Sequence, residues 1–442
     1  MMDRKRHYII QFGCILAVLT AIMLQGFTKV VKPKPLKGFS DQVQKVDFSS
    51  KTYLDGSYQE FLTIYAKENT GFREFFIRNY NQVAYSCFDK ITNENIVKGK
   101  DNELFLKFYL DEVIGKTLEK NYGDVETAKA TARNNIKVTQ ALIDTLQAHG
   151  KDFLFVFAPT KTAVYPERMP QYYRNLQSDF SLEEYYIELF KKNDIPHIDF
   201  YSYFKAIKDT VSFPLYSRHG SHWAQATIPF VADSILRKLE AVTQYKFPTI
   251  QCIDPNISTD YFDYDQELES SLNLLFPLKK PAIPNPVFVV KDTTGWSRPN
   301  LLVIGDSYYD QLMFSSFSKA FNHWDFWQYN LNVYSSRGYY REPMEMVFDA
   351  PVVLQETDVV LAILTAPMLY KFMFGFPNSV YNMLEIKETD ILEMMAKIHS
   401  IPEWYEVVVK QAEEKGISAE ENLRINAIYV LESRKKEATN NQ

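Results

Sequence analysis

Short apolar segments that alternate with longer helical ones are the feature that most constrains the fold of this chain. The apolar segments lie at residues 153–159, 195–200, 301–304 and 358–364. Neighbouring parallel strands need a long connection, usually a helix, and strands buried on both faces form continuous apolar runs. The sequence therefore predicts an α/β fold in which helices cover both faces of a parallel sheet.

The helical segments carry recognisable ends. Ser181 and Glu184 have capping-box spacing, which predicts that a helix begins there. Residues 124–150 form a periodic stretch that ends at a glycine. A further helix follows "SHW" as far as about Val242, and we expect it to be entered or kinked at Pro229.

The N-terminus predicts a membrane anchor. "MMDRKR" precedes an uncharged stretch over residues 7–28, and a spanning helix needs about 20 such residues. A signal-peptide core is shorter and ends at small residues, so a cleaved signal is the alternative. Basic residues flank the stretch on both sides, so counting them does not determine the orientation.

We expect four regions along the chain. Residues 1–28 are a cytoplasmic stub and transmembrane anchor, and residues 29–110 are a tether and helical N-terminal region. Residues 111–385 form the α/β domain, with an irregular insert at about 244–298, and residues 386–442 form C-terminal helices.

Composition excludes some functions. The net charge of −6 provides no electrostatic footprint for nucleic acid. The three cysteines show no C-x-x-C spacing, and at most one disulfide, Cys87 to Cys252, is possible, since Cys14 lies in the apolar stretch. Aromatic residues make up 15% of the chain; they fit either a tyrosine-rich core or a groove that stacks on sugar rings.

The stretch "LLVIGDSYY" predicts a strand, a tight turn and the start of a helix. Gly305 permits the turn, and Ser307 falls where unpaired backbone N–H groups and the helix dipole can stabilise an oxyanion. This position is at the carboxyl end of a strand, where ligands of open sheets bind. The structural alternative is a serine that only caps the helix.

A serine nucleophile needs a base within hydrogen-bond reach. His222, in "SRHGSHWAQA", is the best candidate, and the alternative is a packed or capping histidine. Trp223 is expected to form a wall beneath it. A metal site at His219 and His222 is disfavoured because no Cys, Asp or Glu nearby completes a ligand set.

Taken together, these features resemble the AlgX/AlgJ-type alginate O-acetyltransferase family, whose domain is SGNH hydrolase-like (flavodoxin-like). "VKGKDNELFL" is similar to its Gly-Lys-Asp-Gly-Trp-Leu-Phe segment, and "FAPTKTAVYPE" to its Pro-Ser-Lys stretch ending in Tyr-Pro-Glu. "TGFREFFIRNYNQV" is similar to its N-terminal helical stretch. The resemblance extends over most of the chain and implies an SGNH-like domain with an N-terminal membrane helix and helical extensions.

The resemblance implies a membrane-anchored, extracytoplasmic enzyme that acetylates a cell-envelope or secreted polysaccharide. Ser307 would carry the acetyl group and His222 would act as base and then acid, with Gly305 and Asp306 supporting the turn and the oxyanion hole. A membrane-bound O-acyltransferase partner would deliver the acetyl group. No metal or organic cofactor is implied.

One position departs from the family. Its motif is Asp-x-His-Trp, and Gly220 stands at the aspartate position. His222 could be oriented by a backbone carbonyl or a distant carboxylate, His219 could take over part of the orienting or substrate-binding role, or the site could have lost catalysis and kept sugar binding. Asp306 is expected to brace the turn instead.

Weaker candidates and rival functions complete the expectations. Lys161 could meet a uronate or phosphate, and Arg337 and Tyr334 could hold a sugar; a surface lysine and a loop arginine are the structural alternatives. The rival functions are a polysaccharide O-acetylesterase, a non-catalytic polysaccharide-binding or assembly protein, and a protein whose soluble part is cytosolic.

Overall fold

The computed structural model describes residues 2–38, 45–291, 293–338, 342–343, 350–377, 380, 384 and 386–440. The chain divides into two compact units, one of Met1–Lys98 with Gln266–Lys280 and one of Gly99–Asp265 with Pro281–Gln442. The strands are β1 Ile96–Lys98, β2 Leu104–Leu106, β3 Asp152–Ala158, β4 His197–Asp199, β5 Thr249–Ser258, β6 Ile283–Lys291, β7 Leu301–Gly305, β8 Trp324–Gln328, β9 Asn332–Ser335, β10 Glu342–Pro343 and β11 Val359–Thr365.

The helices are numbered in the same way. They are α1 Met2–Thr28, α2 Ser50–Leu54, α3 Ser57–Glu68, α4 Arg73–Phe88, α5 Lys107–Val113, α6 Lys116–Tyr122, α7 Val125–Ala148, α8 Lys161–Val164, α9 Gln171–Asn175, α10 Leu182–Lys192, α11 Phe200–Ile207, α12 Ile228–Val242, α13 Glu267–Ser271, α14 Tyr308–Met313, α15 Ala350–Glu356, α16 Glu388–His399, α17 Pro402–Lys415 and α18 Ala419–Asn440.

The larger unit contains a seven-stranded sheet in the order β10-β9-β8-β7-β11-β3-β4. The five strands from β8 to β4 are parallel. The predicted α/β class is therefore confirmed, and all four predicted strands are present. The sheet is nevertheless mixed, because β9 and β10 extend one edge in antiparallel pairs.

Helices cover both faces of this sheet. Successive side chains of a strand point to opposite faces, and in β3 the residues Leu154 and Val156 belong to one apolar cluster while Phe153, Phe155 and Phe157 belong to the other. The first cluster includes residues of α11, α12 and α14. The second includes residues of α7, α10 and α15. Burial on both faces explains why β3 reads as an uninterrupted apolar run.

Local signals fix several helix ends. The Ser181 hydroxyl accepts a hydrogen bond from the Glu184 N–H at 3.2 Å, so α10 begins where the capping-box spacing predicts. Pro229 lies in the first turn of α12, a position that tolerates proline because the first N–H groups have no helical partner. The predicted insert is more regular than expected, since β5 and β6 pair antiparallel within it.

The smaller unit is largely helical. Lys5–Thr28 of α1 is long and apolar enough to cross a membrane. Three helices, α2 to α4, lie between Ser50 and Phe88. Among the described residues the three cysteines are free.

Candidate active site

The end of β7 and the loop before α12 bring together the serine and the histidine that the sequence singled out. The Oγ atom of Ser307 lies 2.9 Å from Nε2 of His222, although the two residues are 85 positions apart. Ser307 lies two residues after Gly305, the last residue of β7, so the pair lies at the carboxyl end of the parallel sheet. This distance allows a direct hydrogen bond.

Gly305 is the last residue of β7, and its support of the turn stays a prediction. Its φ is not in the left-handed region, so left-handed backbone is not the reason for a glycine here. A Cβ atom there would lie 2.8 Å from the Ile363 carbonyl oxygen of β11. The absence of a side chain instead lets β7 and β11 approach closely just before Ser307.

Asp306 connects the turn to the end of β11. Its Oδ2 accepts hydrogen bonds from the Thr365 N–H at 2.8 Å and the Thr365 hydroxyl at 2.7 Å. Its Oδ1 accepts one from the Tyr308 N–H at 3.0 Å. Burial raises the pKa of this carboxyl, and these hydrogen bonds oppose the rise. Asp306 therefore fixes the backbone on both sides of Ser307.

The Ser307 N–H is a backbone donor on the same residue as the reactive oxygen. It points to the Tyr329 hydroxyl at 3.4 Å, a weak contact that a developing oxyanion could replace. Tyr329 follows β8 with φ 53°, in the left-handed region that most residues avoid. Burial raises the pKa of Tyr329, so its hydroxyl stays neutral near pH 7.

Aromatic rings enclose His222. The ring centroids of Tyr264 and Tyr308 lie 5.1 Å and 4.9 Å from that of His222. The Tyr308 hydroxyl donates to the Ser221 carbonyl at 2.9 Å. Trp223 is fully buried and packs edge-on against Tyr308 at 5.1 Å. A wall formed by Trp223 beneath His222 stays a prediction, and the two tyrosine rings limit how far the imidazole can rotate.

Lys161 lies in a different environment from the predicted substrate contact. It is only 1% exposed, and its Nζ forms an ion pair with Glu103 at 2.8 Å. The carbonyl oxygens of Leu104, Ser217, Arg218 and Gly220 lie 2.8 to 3.2 Å from the same nitrogen and share its three N–H groups with Glu103. An ammonium enclosed in this way holds the loop that carries His222 and does not reach a substrate.

Arg337 and Tyr334 are not brought to the site. Arg337 forms ion pairs with Asp325 at 3.9 Å and Glu356 at 2.5 Å, near the amino ends of β8 and β11 and thus at the opposite edge from Ser307. The Tyr334 ring stacks on Phe326 within the sheet at 5.7 Å. Neither supports the predicted sugar contact. His219 is 1% exposed, in the same loop as His222.

Several polar residues near Ser307 and His222 were not among the residues predicted from the sequence. Asp310 accepts hydrogen bonds from the Gln328 side-chain amide at 3.1 Å and from the Tyr264 hydroxyl at 3.4 Å. Gln328 could have been found, because it ends a strand that is parallel to β7 and so lies at the same edge. Tyr264 gave no such signal, because it lies in the predicted insert. Among the described residues no cluster of His, Cys, Asp or Glu could hold a metal ion.

Comparisons with known proteins agree with the resemblance seen in the sequence. Residues 97–254 match the family model described as the SGNH hydrolase-like domain of acetyltransferase AlgX. The match includes His222 and ends before Ser307. No curated protein sequence matches the chain significantly.

Several solved structures are similar to this chain. The O-acetyltransferase domain of Pseudomonas putida AlgJ is 15% identical, with 64% of this chain and 99% of that one covered and a TM-score of 0.41. Pseudomonas aeruginosa AlgX is 13% identical, with 66% and 68% covered and a TM-score of 0.40. Bacillus cereus PatB1 with a sulfonyl adduct is 15% identical, with 56% and 93% covered and a TM-score of 0.35.

Proposed function

We propose that this chain is an O-acetyltransferase acting on a cell-envelope or secreted polysaccharide, because residues 97–254 match the family model described as the SGNH hydrolase-like domain of acetyltransferase AlgX. The observation that carries the proposal is the 2.9 Å contact between Ser307 Oγ and His222 Nε2 at the carboxyl end of β7. A neutral imidazole in hydrogen-bond contact with a hydroxyl is the arrangement that activates a serine nucleophile.

In the first half-reaction Ser307 attacks the carbonyl carbon of an acetyl ester donor. The Oγ proton passes to Nε2 of His222 as the Oγ–C bond forms. The resulting oxyanion is stabilised by the Ser307 N–H, whose present partner is the Tyr329 hydroxyl. The C–O bond of the donor then breaks, and the imidazolium protonates the departing alcohol. Ser307 is left acetylated and His222 neutral.

In the second half-reaction a polysaccharide hydroxyl takes the place of the departed alcohol. Nε2 of His222 removes its proton as the sugar oxygen attacks the acetyl carbon. The bond to Ser307 Oγ breaks, and the imidazolium returns the proton to the serine. With water as acceptor the same residues would give an esterase, so the acceptor decides the reaction.

The placement of the enzyme is part of the proposal. Helix α1, which is long and apolar enough to span a membrane, would anchor the chain with its catalytic unit outside the cytoplasm. A membrane-bound O-acyltransferase would supply the acetyl donor at that surface.

The alternative of a non-catalytic polysaccharide-binding protein is favoured by Gly220, which removes the usual orienting aspartate. A triad aspartate can be worth about 10⁴ in rate. The intact contact between Ser307 and His222 argues for catalysis, and an experiment can decide between the two.

The test uses the full chain in detergent, with p-nitrophenyl acetate as donor and an alginate oligosaccharide as acceptor. We expect mass spectrometry to find acetyl-Ser307 and an acetylated acceptor. Ser307→Ala and His222→Gln should each lower turnover by at least about 10³-fold.

Matched controls are Ser318→Ala and His323→Gln, which change a half-buried serine beyond α14 and an exposed histidine before β8. Both controls should keep wild-type turnover. Release of acetate without transfer would identify an esterase, and turnover that survives Ser307→Ala would exclude the acyl-enzyme.

A further inference from the structure

Gly220 is a glycine because another part of the chain occupies the space of its side chain. A Cβ atom at this position would overlap the Tyr264 carbonyl oxygen and lie 3.3 Å from the carbonyl carbon of Asp265. An aspartate therefore does not fit at position 220 while residues 264 and 265 follow their present path. The family's orienting carboxylate is excluded at its usual position by this segment.

The segment is fixed to the loop that carries His222. The Asp265 carbonyl accepts a hydrogen bond from the Ser217 hydroxyl. Its carboxylate Oδ1 accepts one from the Gln225 N–H at 3.1 Å. These contacts bracket His222 on both sides along the chain, and the Tyr264 ring packs against the imidazole with a centroid distance of 5.1 Å.

Asp265 is fully buried, with 0% of its surface exposed. A buried carboxylate is costly unless a positive charge or several hydrogen bonds compensate it. When His222 takes the serine proton, the imidazolium that forms is a positive charge in the loop to which Asp265 is bonded. A carboxylate beside the imidazolium would be stabilised by that charge during the proton transfer.

The other nearby carboxylates bind groups other than His222. Asp306 uses both oxygens to hold Thr365 and Tyr308. Asp310 accepts from Gln328, and Glu103 pairs with Lys161. Asp265 is the carboxylate whose own backbone occupies the missing aspartate's position.

We propose that Asp265 is the positioning residue for His222, accepting a hydrogen bond from Nδ1–H and replacing an aspartate at position 220. The proposal rests on the function proposed above. It assigns the orienting role to a residue that follows the histidine by 43 positions along the chain.

The first test is independent of activity and follows the ring protons of His222 by NMR, assigned with His222→Gln. A carboxylate next to an imidazole raises its pKa, so we expect Asp265→Asn to lower the pKa of His222 by about one unit or more. Asp263→Asn is the matched control, since Asp263 is exposed in the same turn. An unchanged pKa in a folded Asp265→Asn protein would overturn the proposal.

The second test is a double-mutant cycle on the hydrolysis of p-nitrophenyl acetate. Asp265→Asn should lower turnover by roughly 10³- to 10⁴-fold and move the acidic limb of its pH profile to lower pH. In a His222→Gln background the same change should have little further effect, because a positioning residue acts through the histidine.

The outcomes separate the two proposals. If Asp265→Asn lowers turnover equally in the wild-type and the His222→Gln proteins, Asp265 has only a structural role. If the wild-type chain shows no turnover that depends on Ser307, the acetyltransferase proposal fails, while the titration of His222 still decides the role of Asp265.

Discussion

At the scale of single residues, the buried charged side chains of the larger unit differ in how far their charge is compensated. Lys161 is compensated by Glu103 and four carbonyls, and it stiffens the loop before His222. Glu183 is 2% exposed, and its Oε1 has no hydrogen-bond partner among the described residues. Burial is the main cause that raises the pKa of Glu183 well above its usual value, and the negative charge of the nearby Glu112 adds to it.

Glu183 predicts a pH dependence of stability. An acid whose pKa is higher in the folded state binds its proton more tightly when folded, so its favourable contribution is complete at acid pH. That contribution is lost as the pH rises from the unfolded value of 4.5 towards the raised folded value. We expect the free energy of unfolding to fall by up to about 1.4 kcal/mol per pH unit in this window.

Glu183→Gln should flatten this slope and stabilise the protein at neutral pH, as measured by urea unfolding at a series of pH values. Glu188→Gln, at an exposed position of the same helix, should keep the wild-type slope. A slope that persists in Glu183→Gln would assign the effect to other groups.

At the scale of elements, the close contact between β7 and β11 determines where the serine lies. The Thr365 hydroxyl and N–H both donate to Asp306, so Thr365→Val removes one of two anchors of the turn. We expect a loss of about 1.5–3 kcal/mol in the free energy of unfolding, since the bond is to a charged group. Turnover should also fall, because the serine loses part of its support.

Thr357→Val is the matched control. The Thr357 hydroxyl donates to the Val353 carbonyl at 2.7 Å in α15, so its loss should destabilise the protein by about 1 kcal/mol without reducing turnover at equal folded fraction. Equal turnover in the two variants would contradict a role of the turn anchor in catalysis.

Strands that are buried on both faces could be predicted from the sequence. Features that depend on packing between segments distant along the chain could not. The runs at β3, β7 and β11 are apolar throughout because both faces are covered, so local composition revealed them. Strands β5 and β6 lie in a segment rich in Pro and Asn, which conceals their pairing. The approach of Asp265 to the histidine loop depends on packing between distant segments, and no local pattern encodes it.

At the scale of the whole molecule, α1 predicts attachment to a membrane. The full chain should remain in the membrane fraction after alkaline carbonate extraction, and a variant lacking residues 2–28 should become extractable. A mature N-terminus beyond Thr28, found by N-terminal sequencing, would show a cleaved signal instead.

The glycine ahead of the histidine also bears on how chains with this serine–histidine pair are recognised. A search pattern that requires an acidic residue two positions before the histidine would discard this chain, although its hydroxyl and imidazole are in contact at 2.9 Å. A search by distance would compare the positions of a carboxylate, an imidazole and a hydroxyl, whatever their order along the polypeptide. It would retain chains in which a residue from another segment takes the place of the motif residue.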